Sequence, residues 1–243
     1  MNIEGTTALV TGANRGIGQE LARVLVAQGA TVYGGARDPG SITDAGVIPV
    51  QLDVTDADSV AAAAARLTDV DLVINNAGVG TGAPLLSEGA ADAARHELEV
   101  NYFGTMAVSR AFAPILAANG GGTLVNILSV VSWVAVPAIA TYSASKAAAW
   151  SLTNALRTVL RADGTHVVGV HFGYVDTDLT AGFDIPKMDR VDVVAGILAG
   201  LVADQEEIIV DPFTQSIKDG LSDDTNLIWP EIQRQHDEAK AAA

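Results

Sequence analysis

The chain contains no cysteine, so disulfides, thiolate chemistry and cysteine-ligated metals are all excluded, and the composition suits a reducing cytoplasm. Histidine is scarce: His96, His166, His171 and His236 are dispersed, none at ligand spacing from another histidine or from a carboxylate cluster, and no metal is expected. Basic residues are few. With 14 Lys and Arg against 29 Asp and Glu, the formal charge is -15 and the acids are scattered, a field that repels nucleic-acid phosphates and anionic lipid surfaces. Neither nucleic acid nor membrane is therefore an expected partner. No charged residue occurs from Ala111 to Ser145, long enough to span a bilayer, yet Gly120, Gly121, Gly122, Asn126, Ser129, Ser132 and Pro137 interrupt the run. A buried strand followed by a packed loop is expected there. Met1-Asn2-Ile3-Glu4 leads almost at once into a strand-like segment, so no signal peptide is expected.

Apolar residues make up 49% of the chain and charged ones 18%, enough to bury an ordinary core in one domain over residues 1–243. Apolar β-branched runs alternate with Ala-rich segments. Strands are predicted near 6–11, 31–36, 47–52, 70–74, 122–128, 166–172 and 207–210. Helices are predicted near 17–28, 56–67, 88–118 with a break, 142–161 and 191–202. Strands apolar on both faces and joined through helices imply an α/β fold with a doubly wound parallel sheet, whose ligands bind at the strand C-termini.

The first predicted strand ends in 11-TGANRGIG-18 and an amphipathic stretch follows. One glycine permits the tight turn, one lets the backbone approach a pyrophosphate, one allows close packing of helix on strand, and the helix N-terminus attracts the phosphate charge. Gly12, Asn14, Arg15, Gly16, Ile17 and Gly18 are accordingly candidate cofactor-binding residues. The glycine spacing is G-x-x-x-G-x-G. Further on, 140-ATYSASKAAAW-150 sets Tyr142 and Lys146 four residues apart in an uncharged run. Positions four apart share a helix face, so the lysine charge would favour the phenolate of a group that otherwise titrates near ~10.

Together with 75-NNAG-78 and Ser129, in this order along roughly residues 5 to 210, these motifs closely resemble the short-chain dehydrogenase/reductase family. The resemblance implies a Rossmann-type sheet of strand order 3-2-1-4-5-6-7, a nicotinamide cofactor, a small-molecule carbonyl or alcohol substrate, and a homodimer or homotetramer. It implies that Tyr142 protonates a carbonyl oxygen during reduction and takes the proton back in reverse, while Lys146 bonds the nicotinamide ribose and passes protons toward solvent. Ser129 matches the serine that bonds the substrate carbonyl, and Asn101, in 100-VNYFG-104, the helix asparagine that holds a relay water.

Arg37 follows the second strand in 31-TVYGGARDPG-40 and Arg15 lies in the glycine loop, so two cations could flank a 2'-phosphate. NADP(H) is preferred on this basis, with NAD(H) possible if Asp38 instead bonds a ribose hydroxyl. By resemblance Asp53, followed by Val54, bonds the adenine, or else it caps the helix beginning near Asp56. Asn75, Ala77 and Gly78 end the fourth strand beside the cofactor, Asn75 also tying neighbouring strands.

The family's Pro-Gly-x-Val-x-Thr reads 172-FGYVDT-177 here. Val175 and Thr177 keep their expected contacts with the carboxamide, and the rigidity of the turn at Phe172 is open. A short lid, about 178–190, implies an open apolar pocket walled by Trp133, Val136, Tyr174, Leu179 and Phe183; the alternative is that these are core or subunit contacts. No cation is placed to grip an anionic substrate. The expected activity is NADPH-dependent interconversion of an apolar ketone or aldehyde with its alcohol; the alternatives are an NAD-dependent alcohol dehydrogenase, a non-catalytic dinucleotide sensor and a lyase of similar fold. The presence of Ser129, Tyr142 and Lys146 opposes the sensor, and Lys146 with the glycine loop opposes the lyase. The tail from Asp211 onward reads as two helical pieces divided near Ser222.

Overall fold

The computed structural model describes residues 1–241. Seven strands, β1 Thr7–Thr11, β2 Thr31–Ala36, β3 Val47–Gln51, β4 Leu72–Asn75, β5 Thr123–Ile127, β6 His166–His171 and β7 Glu207–Ile209, form one parallel sheet in the order β3-β2-β1-β4-β5-β6-β7. The helices are α1 Gly16–Ala27, α2 Ala57–Arg66, α3 Ala90–Leu98, α4 Thr105–Ala118, α5 Ala140–Val159, α6 Arg190–Val202, α7 Pro212–Gly220, α8 Asp224–Leu227 and α9 Trp229–Ala241.

Period-two alternation sends each strand's apolar side chains to both faces of the sheet. Ala8, Val10, Leu72, Ile74, Val125 and Val168 pack with Leu21 and Leu25 of α1 and Val193, Ile197 and Leu201 of α6. On the other face Leu9, Val73, Leu124 and Val167 pack with Val60 of α2 and Val108, Phe112 and Leu116 of α4. Each fully buried side chain of this size contributes about 1.5–3 kcal/mol. Chain connections run in opposite directions from β1 and β4, so the loops after these strands diverge and leave a crevice at the strand C-termini.

A chain of buried polar groups joins the middle of the sheet to two helices. The Asn75 amide donates to Asn126 Oδ1 (2.9 Å) and to Ser109 Oγ on α4 (3.1 Å), and Asn126 Nδ2 donates to Thr153 Oγ1 on α5 (2.9 Å). Linked in this way, though with Asn75 Oδ1 left without a partner, the groups set the register of the two helices against β4 and β5.

The uncharged stretch from Ala111 to Ser145 divides into the end of α4, β5, two short 3-10 turns and the start of α5. No helix among the described residues is long and apolar enough to cross a membrane. The break expected within 88–118 is a π-helical segment, Glu99–Gly104, where the Asn101 carbonyl accepts the Thr105 hydroxyl (2.9 Å). Two features of the tail and of α2 differ from expectation. The tail has three helices: besides the break at Leu221–Asp223, a second falls before α9, because Pro230 in its first turn has no N–H to continue α8. Asp56, and not Asp53, caps α2, accepting from the backbone N–H of Asp58 (2.9 Å) and Ser59 (3.3 Å).

Asn126→Ala removes the shared partner of Asn75 and Thr153, leaving a buried Asn75 N–H without its acceptor and a cavity between the strand and α5. It is expected to cost about 3 kcal/mol in urea unfolding at unchanged m-value; a loss below about 1 kcal/mol would show that the chain is not structural.

Candidate active site

The crevice begins at the loop between β1 and α1. Gly12 has φ 66°, and a Cβ there would lie 3.0 Å from Ala77 Cα; a Cβ on Gly18 would stand 2.3 Å from the Gly12 carbonyl oxygen. Both positions therefore require glycine. No side chain caps the N-terminus of α1 and no acid lies in its first turn, so its free N–H groups and partial positive charge remain available to an anion.

A groove of about 760 Å³ runs from this loop across the sheet ends and brings together Gly12, Asn14, Arg15, Gly16, Ile17, Arg37, Asp53, Val54, Ala77, Gly78, Tyr142, Lys146 and Thr177. Three expected cofactor residues lie elsewhere. Gly18 sits behind the loop, Val175 lines the neighbouring cavity, and the Asn75 amide points into the core at Ser109 and Asn126. Asn76 lines the groove instead, its side chain donating to the carbonyls of Thr11 (2.9 Å) and Gly12 (3.2 Å).

At one end of the groove Arg37 is exposed, and Arg15 lies 3.6 Å from Asp178, a solvent-exposed pair that holds neither side chain strongly. Asp38 turns back on its own loop, where Oδ1 accepts from Gly40 N (2.9 Å). Asp53 Oδ1 accepts from the backbone and hydroxyl of Thr55 (3.0 and 2.7 Å). Partial burial raises the Asp53 pKa, but the Thr55 bonds and the Arg37 charge outweigh it and hold the carboxyl below its ordinary range.

At the other end lie Ser129, Tyr142 and Lys146. Ser129 follows β5 in extended conformation; its hydroxyl accepts from Val131 N (3.3 Å), and its own N–H donates to the Ser132 hydroxyl (3.2 Å). Ser132, expected as an ordinary loop residue, thus closes the turn that presents Ser129. Behind it the buried His171 ring places Nδ1 3.1 Å from the Ser129 carbonyl and stacks on Trp133 at 3.9 Å. Burial pushes the His171 pKa down to about 4, so the ring is neutral and Nδ1–H is the donor.

Lys146 is buried and donates to the Ile127 carbonyl (2.8 Å), with Nζ 5.7 Å from the centre of the Tyr142 ring. Burial pushes the lysine pKa down to about 8 and, aided by the charge of Glu97 and by Tyr174, pushes the Tyr142 phenol above its ordinary value. The expected tilt toward the phenolate is outweighed here by desolvation, and Lys146 gives its hydrogen bond to the Ile127 carbonyl. The Asn101 side chain is engaged within the protein. Its oxygen accepts from Val79 N (2.9 Å), and its two N–H groups donate to Val79 O (2.8 Å) and Ser145 Oγ (2.8 Å).

Next to the groove, and sharing Ile17, Gly80, Tyr142, Phe172, Thr177 and Leu179 with it, is a cavity of about 320 Å³. Ser129, Tyr174, Val175, Leu179 and Phe183 line it, and no charged side chain does. Trp133 and Val136, expected as walls, lie outside: Trp133 is held against His171, and Val136 packs on the Val130, Val131 and Ile139 cluster. The turn at Phe172 is held without proline, since the Phe172 carbonyl accepts from Val130 N and Gly173 N donates to Asp211 Oδ2, both at 3.0 Å. The lid is pinned at its base by Met188, whose N–H donates to Tyr174 O and whose carbonyl accepts from Asp176 N, both at 2.9 Å. Asn76, Ser132, His171 and Glu97 escape sequence reasoning; Asn76 carried a sign in its place within 75-NNAG-78, and Glu97 in its position four residues before Asn101.

The family model described as short chain dehydrogenase matches residues 6–186. A cis-4-hydroxycyclohexanecarboxylate dehydrogenase of Sinomonas cyclohexanicum is 35% identical over 213 residues, covering 83% of this chain and 85% of that protein. A short chain dehydrogenase of Burkholderia cenocepacia J2315, solved in complex with NADP, is 40% identical with TM-score 0.91, covering 96% of this chain and 99% of that one. A short-chain dehydrogenase/reductase of Burkholderia phymatum, solved with NAD, is 25% identical with TM-score 0.83, covering 93% and 96%. With the parallel sheet, the glycine loop and the Ser129, Tyr142 and Lys146 site in place, these likenesses establish that the chain belongs to the short-chain dehydrogenase family of oxidoreductases.

Proposed function

We propose that the protein reduces an uncharged, largely apolar ketone or aldehyde with NADPH and oxidises the corresponding alcohol in reverse. The observation that carries this reading is that Ser129 and Tyr142 both line an uncharged cavity that opens beside the groove of the glycine loop. The absence of charge from the cavity lining opposes a carboxylate substrate, since no cation there would replace its hydration.

The glycine loop and the uncapped N-terminus of α1 fit a pyrophosphate, and Lys146, Ala77, Gly78 and Thr177 fit the sugar and ring further along the groove. NADPH, when bound, supplies the hydride to the carbonyl carbon. Ser129 donates a hydrogen bond to the carbonyl oxygen and stabilises the negative charge developing there. Tyr142 gives its proton to that oxygen; a phenol held neutral by burial suits the reductive direction. Lys146, at a pKa of about 8, holds a proton it can yield near neutral pH, so that it can resupply the proton that Tyr142 gives up. Asn101 acts by holding the 79–81 segment and α5 together. Arg37 and Arg15 support NADP over NAD, as do the commitment of Asp38 to Gly40 and the 40% identical relative solved with NADP. The relative solved with NAD keeps that cofactor as the second reading.

Tyr142→Phe is expected to lower kcat by about a thousandfold while NADPH binding, read by fluorescence titration, stays within about threefold. A fully active, cofactor-dependent variant would remove the mechanism. For the cofactor, kcat/KM with NADPH is expected to exceed that with NADH by about tenfold or more, and Arg37→Asp to abolish the preference. Equal use of the two by the unaltered enzyme, with no response to the substitution, would favour the NAD reading.

A further inference from the structure

We propose that Glu97 is a positioning residue for the reaction with two parts: with Asn101, one helical turn along, it clamps segment 78–82 against the ring of Tyr142, and it brings a negative charge to bear on that buried phenol. This inference rests on the reading of Tyr142 as the proton donor.

Glu97 is fully buried on α3. Its Oε1 accepts from the Thr81 backbone N–H (2.7 Å) and from the Thr81 hydroxyl (2.8 Å), while Oε2 is buried with no hydrogen-bond partner. A carboxylate buried without a cation is costly, and an apolar side chain would fill the same space. Its retention on a helix facing α5 therefore needs a use. The geometry supplies one. Asn101 grips both backbone groups of Val79, and Glu97 grips Thr81 two residues on, so alternate residues of the segment are tied to the helix. Gly80, between them, is left against the reacting group, and a Cβ there would come within 3.3 Å of both Tyr142 Cδ2 and Leu179 Cδ1. Thr81 and Gly82 form part of the apolar cavity wall, so the clamp also sets its width.

The titratable groups that act on Tyr142 are Glu97 from α3, Lys146 from its own helix and Tyr174 from the loop after β6. Of these only Glu97 brings a negative charge, which opposes the phenolate alongside burial. The clamp and the charge separate by substitution. Glu97→Gln keeps an oxygen for both Thr81 donors and removes the charge; Glu97→Leu removes both.

Two measurements on the NADP⁺-bound enzyme test the proposal. Phenolate absorbance titrations, each protein minus its Tyr142→Phe counterpart, read Tyr142 directly. In Glu97→Gln its titration is expected to move to lower pH by about one unit, and the acid limb of cyclohexanol oxidation to follow. In Glu97→Leu kcat/KM for cyclohexanol is expected to fall about tenfold or more, and Glu97→Gln to recover it to within about threefold. A Tyr142 titration that superimposes on the unaltered protein in Glu97→Gln overturns the proposal, and so does unchanged kcat/KM in Glu97→Leu. If the leucine variant does not fold, the titration of Glu97→Gln decides alone. A fully active Tyr142→Phe enzyme would instead overturn the underlying reading of Tyr142, a result distinguishable from either failure of Glu97.

Discussion

An ammonium group buried among neutral neighbours is the constraint on which the reacting end of this molecule depends. Lys146 has one protein hydrogen bond, to the Ile127 carbonyl at the end of β5. Its charge is therefore poorly solvated, which is why its pKa falls to about 8. That single bond ties α5 to the strand that leads into Ser129. The small residues around Lys146, Ser143, Ser145 and Ala147, allow α5 to approach the sheet end and α3 closely enough for Ser145 to bond Asn101. Bulkier residues would hold α5 away from the sheet end, and more polar ones would solvate the lysine.

From this point the architecture explains why two cavities share an edge. The parallel sheet delivers every loop of consequence to the same end, and the reversal between β1 and β4 opens the crevice there. The groove with its phosphate-sized cradle and the uncharged cavity meet at Tyr142, flanked by Gly80, Phe172, Thr177 and Leu179. Support comes from groups remote from the cleft: Ser132 and His171 beneath Ser129, and Asp211 beneath Gly173. The C-terminal segment thus takes part in the site through the Asp211 carboxylate, which also caps α7 by accepting from Thr214 N (2.9 Å).

Much of this was legible before the structure. The strands announced themselves because burial on both faces leaves uninterrupted β-branched runs, and the glycine loop because backbone contact tolerates no side chain at Gly12 or Gly18. Side-chain direction was not legible. Asn75 and Asn76 are adjacent in sequence, yet pleating sends one into the core and the other to the groove. Trp133 follows a 3-10 turn whose closure by Ser132 turns the indole onto His171, a contact set by long-range packing. The net direction of the Tyr142 shift was also hidden, because four-residue spacing gives proximity and says nothing of desolvation. The second break in the tail was visible in Pro230, whose missing N–H stops a helix wherever it falls inside one.

The buried charge of Lys146 can be measured through stability. A lysine whose folded pKa, about 8, lies below its unfolded value of 10.5 destabilises the fold below pH 8, and the penalty is relieved as pH rises toward 10.5. The direct test compares the stability of Lys146→Met with that of the unaltered lysine across this range, both in a Tyr142→Phe background so that phenol ionisation does not enter. The account predicts that the advantage of the methionine protein, relative to lysine, shrinks by roughly 3 kcal/mol between pH 7 and pH 10.5. A difference that stays flat with pH would mean that Lys146 titrates as a solvated residue, and would contradict the account.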